Sequence, residues 1–116
     1  MISRRSVLRA QAAYYVATGV APFVSRRGFE AVTGPKSEWW LVQTVGALVT
    51  IVGGGLASAA ARDRMTPEIV GVAAGCAAGL GALDAYYAGR GRIAPTYFVD
   101  AAAQAAILAA LAVSRS

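Results

Sequence analysis

Residues 39–61 read Trp39-Trp40-Leu41-Val42-Gln43-Thr44-Val45-Gly46-Ala47-Leu48-Val49-Thr50-Ile51-Val52-Gly53-Gly54-Gly55-Leu56-Ala57-Ser58-Ala59-Ala60-Ala61, 23 residues without a charge. A helix needs about 20 such residues to cross the hydrocarbon core of a bilayer. The stretch opens on a tryptophan pair and closes on Arg62, the flanks of a helix anchored at both interfaces. This segment sets the expected fold class, a helix solvated by lipid.

Three further apolar segments surround it. The first covers about 7–24; residues 10–25 are uncharged, and Arg9 can extend along the helix to the interface. The third covers 67–88, with Thr66 as N-cap and Pro67 at the first helical position. The fourth covers 95–113, opened by Pro95 and closed by Ser114, Arg115 and Ser116. The expectation is all-α: a single transmembrane domain over residues 1–116, an integral membrane four-helix bundle with short connections. The links 62–66 and 89–94 are tight, which makes the helices they join antiparallel. The link 25–38 is longer and polar, with Gly28, Gly34 and Pro35 as breakers. Within it, Phe29 and Val32 are spaced to dip into the interface as a short amphipathic turn.

Composition agrees. Hydrophobic residues make up 57% and charged residues 15%, against about 25% charged in a soluble domain. A soluble chain this small has too little interior to hide that much apolar surface. The net charge is +5, but the basic residues lie in short clusters between apolar runs. Such clusters suit helix ends meeting lipid phosphates. Nucleic acid would require a continuous basic face, so lipids are the expected partners and nucleic acid is not. The chain has no histidine and one cysteine, Cys76, which reads as a small buried hydrophobe. Zinc, haem and iron–sulfur centres lack their usual ligands here, so no metal or cofactor is expected. Lys36 is the single lysine among 11 basic residues, and alanine and glycine abound. That composition suggests a high-GC bacterial gene, hence a bacterial inner-membrane protein.

An even number of spans puts both termini on one side. That side carries six basic residues and the other five, counting Arg4, Arg5, Arg9, Arg62, Arg64 and Arg115 against Arg26, Arg27, Lys36, Arg90 and Arg92. The small excess leans the termini to the cytoplasm and leaves dual topology open. Ser3-Arg4-Arg5-Ser6-Val7-Leu8-Arg9 has the look of a twin-arginine export signal. Pro22 after Ala21, with no small-x-small site nearby, favours the basic flank of an uncleaved helix.

Every span offers a small or polar seam. These are Gln11, Tyr15, Thr18 and Pro22; Gln43, Ala47, Thr50, Gly54 and Ser58; Gly71, Gly75 and Gly79; and Ala101, Ala105 and Ala109. Helices in lipid associate along such seams, within one chain or in a homo-oligomer. Gly53-Gly54-Gly55 lacks the preceding strand and following lysine of a phosphate loop, and reads as a thin helix segment.

Beyond Glu68 at the mouth of the third segment, the acids inside the spans are Asp84 and Asp100, each eight positions from Arg92. Intramembrane carboxylates are costly and often functional. On antiparallel helices the two should reach one depth. Tyr97 and Gln104 share a face with Asp100, and Tyr87 with Asp84. Arg90 and Arg92 can reach the carboxylates, while Gln43 and Tyr15 lie on helix segments expected to converge there. Glu30 sits in a loop on the same side that could close over the site. Two outcomes stand: a structural ion-pair network, or a pocket for a small molecule or lipid headgroup. No histidine is present for a familiar hydrolytic triad, and no catalytic residue is assigned.

Tyr14-Tyr15-Val16-Ala17-Thr18-Gly19, then Pro22, Phe29-Glu30, Gly34-Pro35, Trp40-Leu41-Val42 and Gly46 resemble the DoxX-like group of small bacterial four-helix membrane proteins. The resemblance implies the four-helix membrane fold. Links of that group to thiol and oxidative-stress systems do not carry over, because the cysteine pair is missing. Small multidrug exporters share the length, but place an acid in the first helix, where this chain has Gln11 and tyrosines. The functional expectation is a binding or accessory role: holding a lipophilic small molecule or lipid headgroup near one membrane face, or bracing a larger membrane complex. The alternatives are a membrane enzyme using Asp84 or Asp100 as acid–base, and a small proton-coupled transporter.

Overall fold

The computed structural model describes residues 3–34, 38–91 and 96–114. It is all-helical, with α1 Arg4–Val24, α2 Arg26–Thr33, α3 Trp39–Ala61, α4 Pro67–Gly89 and α5 Tyr97–Val113. No strand occurs among the described residues. The helix ends follow local chemistry. Ser3 caps α1 by accepting from the Ser6 N–H at 3.1 Å, which starts the helix three residues before the expected Val7. Thr66 accepts from the Ile69 N–H at 3.2 Å, and Pro67 follows it as expected. Gly34 closes α2 with φ 91°, a conformation that costs glycine little. Asp63 takes φ 56° in the α3–α4 turn, where Arg64 N–H donates to the Ala59 carbonyl at 2.8 Å.

Gly28 is not a breaker. It lies inside α2, its N–H capped by Ser25 Oγ at 3.0 Å, so the expected turn is a helix of eight residues. The breaker expected at Pro35 and the helix opening expected at Pro95, together with Lys36, Arg92 and Arg115, lie outside the described residues.

Among the described residues two helices, α3 and α4, are long and apolar enough to cross a membrane. The apolar α5 has 17 residues, and α1 carries Arg4, Arg5 and Arg9 in its first two turns. The helices form two pairs: α1 lies along α3, and α4 along α5. Contact between the pairs runs chiefly from α1 to α5, while α3 and α4 barely touch despite their tight turn. The start of α1 and the end of α5 meet, where Arg4 Nε donates to Ser114 Oγ at 3.1 Å. The apolar core lies toward that end and is built from Val7, Leu8, Leu56, Ala60, Ala73 and Leu111.

The α1–α3 contact is made backbone to backbone. A Cβ on Gly46 would stand 2.6 Å from the Gly19 carbonyl oxygen, and one on Gly53 would stand 2.9 Å from Val16 Cγ2. The seam on α3 is therefore Gly46–Gly53–Leu56–Ala60, displaced from the expected one; Gly54 and Ser58 are exposed. On α1 the expected seam holds at Gln11, Tyr15 and Pro22, but Thr18 is exposed. On α4 it does not hold within the chain. Gly71, Gly75 and Gly79 are exposed with open space around them, while Ala73 and Ala77 are buried. On α5, Ala105 and Ala109 are exposed and the inner face carries Gln104 and Leu111. The physical reason is the same on both helices: burying Gln104 and Ala73 against α1 turns the smaller residues outward.

Candidate functional site

A string of polar side chains fills the seam between the two helix pairs. It begins nearest the apolar core at Gln11, which is fully buried and donates from Nε2 to the Ala73 carbonyl of α4 at 2.9 Å. Tyr15 stands one turn further along α1 and is 1% exposed. Its hydroxyl donates to Gln104 Oε1 of α5 at 2.8 Å. Gln104 Nε2 extends toward Asp100 Oδ1, 3.5 Å away and one turn earlier on α5. The Tyr14 hydroxyl donates to that same Asp100 oxygen. The Asp84 carboxyl of α4 completes the string in hydrogen-bonding contact with Asp100.

The local sequence explains this placement. Gln11, Tyr14 and Tyr15 fall at three- and four-residue spacing on α1, so all lean to one side. Asp100 and Gln104 do the same on α5. Asp84 lies five residues before the end of α4, and Asp100 three after the start of α5, so antiparallel pairing brings them level.

The acid pair has an unusual balance of charge. Its partners among the described residues are Tyr14, Gln104 and the other acid, all without positive charge. Asp84 Oδ2 is enclosed and no N–H or O–H group reaches it. Two ionised carboxylates in contact repel, and a buried carboxylate oxygen without a donor is costly. The geometry is satisfied when one carboxyl carries a proton and donates it to the other, as in other carboxyl pairs that share a site. Gln11 Oε1 is likewise enclosed and without a partner.

The expected site residues divide. Asp84, Asp100, Gln104 and Tyr15 come together. Arg90 and Tyr87 do not join them. Arg90 is exposed and turned to Tyr86, donating to its hydroxyl at 3.3 Å with its guanidinium 5.5 Å from the ring centre. Tyr87 is exposed and packs edge-on against Tyr86. Glu30 pairs with Arg26 at 3.5 Å on α2. Gln43 is half-buried on α3, and Tyr97 half-buried at the start of α5. Arg92 lies outside the described residues. The ion-pair network expected around the acids is thus not formed by Arg90; phenols and amides stand there instead.

Sequence reasoning missed Tyr14 as a site residue. Its signal was present: it stands three positions after Gln11 and next to Tyr15, on the edge of the inward face already assigned to α1. Compared with known protein families, curated proteins and solved structures, the chain matches none.

Proposed function

We propose that this chain is a small integral membrane protein in which α1, α3, α4 and α5 each cross the bilayer, with α2 at one interface. Support comes from the surface as well as from length. Trp40, Leu41, Val45, Leu48 and Ile51 run along the outer side of α3, all exposed. Only 11% of the most apolar window of α4 is buried. A contiguous apolar surface of this kind is stable when lipid covers it. The 17 residues of α5 reach about 25 Å, short of the roughly 30 Å hydrocarbon core. Local thinning or tilt accommodates such a difference.

In this bilayer the protein has a binding role, and the Asp84–Asp100 pair is its binding element. The ligand is a lipophilic small molecule carrying a positive charge. The observation that carries the reading is an acid pair in contact, with only neutral partners among the described residues. A cationic group can replace the proton shared by the two carboxyls, which is released, and satisfy both of them. A proton-coupled transporter is the second reading, favoured by the division into two helix pairs that meet along this seam.

The test is proton release. Purified protein in weakly buffered detergent is mixed with a lipophilic amine, and pH is followed with an indicator dye. Wild type should release a proton on binding, and Asp84→Asn and Asp100→Asn should not. If neither binding nor release occurs in wild type, while the variants unfold at lower temperature, the pair is a structural clasp and the binding reading fails.

A further inference from the structure

Helix α2 has no buried residue, although it is strongly two-sided. Arg27 and Val32 stand about 140° apart around it by helical spacing. Arg26, Arg27, Glu30 and Ala31 line an open hollow of about 570 Å³. Arg26 is occupied: it pairs with Glu30 at 3.5 Å, and its guanidinium lies 4.9 Å over the Trp39 ring. Phe29 meets the same ring edge-on at 5.7 Å, which fastens α2 to the start of α3. Arg27 is exposed and meets no acidic side chain among the described residues. The first turn of α2 holds two arginines and no acid, the wrong sign for the positive end of a helix dipole unless an anion is supplied from outside. Beside this basic hollow, Val24 is 77%, Val32 61% and Trp40 62% exposed. The surface therefore combines an unmet positive charge, an aromatic platform and unburied apolar side chains, the chemistry of a lipid headgroup with the start of its acyl chains.

We propose that α2 and the Trp39–Trp40 corner form a docking surface for an anionic phospholipid, with Arg27 on its phosphate and Val24, Val32 and Trp40 against its acyl chains. Arg26, held by Glu30 and Trp39, shapes the rim of the hollow. This rests on the membrane reading above, but not on the acid pair. Phosphatidylglycerol is the headgroup class used to test it.

The chain's two tryptophans both stand at this corner, so their fluorescence reports on it locally. The protein is reconstituted in phosphatidylcholine vesicles containing brominated phosphatidylglycerol or, separately, brominated phosphatidylcholine, and tryptophan quenching is compared. Wild type should be quenched at lower amounts of the anionic lipid. Arg27→Gln should lower that preference about fivefold, the weight of one basic residue near a lipid surface. Glu30→Gln should raise it, and Arg64→Gln, at the far end of the bundle, should leave it unchanged. Equal quenching by both lipids in wild type overturns the proposal, as does an equal loss in Arg27→Gln and Arg64→Gln. Relief of quenching by inorganic phosphate at constant ionic strength would assign the hollow to a soluble anion and overturn it too. Flotation of the vesicles separates the two hypotheses. Protein that floats with the lipid but shows no preference removes only the docking surface; protein left in the aqueous layer removes the membrane reading with it.

Discussion

Replacing Gly46 by alanine adds one methyl group where two helix backbones touch. The new Cβ would lie 2.6 Å from the Gly19 carbonyl oxygen and 3.0 Å from Pro22 Cγ. A comfortable carbon–oxygen contact is about 3.3 Å, so α1 must retreat by about 0.7 Å. Neither obstacle can swing aside, since one is backbone and the other a proline ring within α1. Overpacking of this kind costs about 1–3 kcal/mol, while glycine to alanine in a helix returns up to about 1 kcal/mol. The net expectation is a loss of up to about 2 kcal/mol. Gly75→Ala is the matched control on α4: its Cβ meets nothing within 4 Å, so only the propensity gain remains. That gain is common to both substitutions, so they should differ by the overpacking cost alone, about 1–3 kcal/mol. Equilibrium unfolding in mixed micelles with increasing dodecyl sulfate, followed by helical circular dichroism, measures the difference. Equal effects would refute the glycine-mediated packing of α1 on α3. A destabilising Gly75→Ala would mean that the outward glycine face of α4 meets a second copy.

Other substitutions probe the polar seam. Tyr15→Phe removes the 2.8 Å bond to Gln104 and leaves its buried amide oxygen without a donor; the expected loss is about 1–2 kcal/mol in the same unfolding assay. Tyr14→Phe, at a more accessible position, should cost about 0.6 kcal/mol, and a larger loss than Tyr15→Phe would contradict the burial order. Infrared spectra of the protein should contain the carbonyl stretch of a protonated carboxyl group that disappears in Asp84→Asn, Asp100→Asn or both; its absence from wild type would refute the shared proton. Gln11→Met loses the 2.9 Å bond from Nε2 to the Ala73 carbonyl but also removes the enclosed, partnerless Oε1, so its cost should be small; Gln104→Met strands the buried Tyr15 hydroxyl and should cost more, about 1–3 kcal/mol.

Helix positions were legible because they depend on local properties: uncharged length, Thr66 with Pro67, and the polar breaks between apolar runs. The contact of Asp84 with Asp100 was legible too, since equal distances from a tight turn place residues level on an antiparallel pair. Helix faces were not. Small residues at four-residue spacing occur on two sides of α4, Gly71–Gly75–Gly79 and Ala73–Ala77–Gly81, and periodicity alone does not choose between them. The choice is made across the seam, where Gln104 of α5 lies against Gly81 and Gln11 of α1 needs the Ala73 carbonyl. The arginine partners expected at the acids failed for a related reason. Proximity in sequence gave Arg90 two destinations, and the Tyr86 face one turn away is the one it occupies.

The two kinds of contact in this fold differ in what moving them requires. Between α1 and α3 the backbones touch at Gly19, Gly46 and Gly53, and separation opens a void that no side chain is placed to fill. Between the pairs the contacts on the polar side are side-chain hydrogen bonds from Gln11, Tyr14 and Tyr15. In membrane interiors such bonds contribute only about 0.6 kcal/mol each on average. The seam is therefore the boundary along which the molecule opens most cheaply, and the acids lie on it. With one proton present, Asp84 and Asp100 hold each other and Tyr14 holds Asp100; with that proton lost, two carboxylates repel within the α4–α5 pair. Protonation is thus coupled to the fit of α4 on α5, and the Tyr14 bond to Asp100 carries that change across the seam to α1. A cation bound between the carboxyls restores the attraction without the proton. In this arrangement binding a cation and holding a proton become alternative ways of keeping α4 on α5.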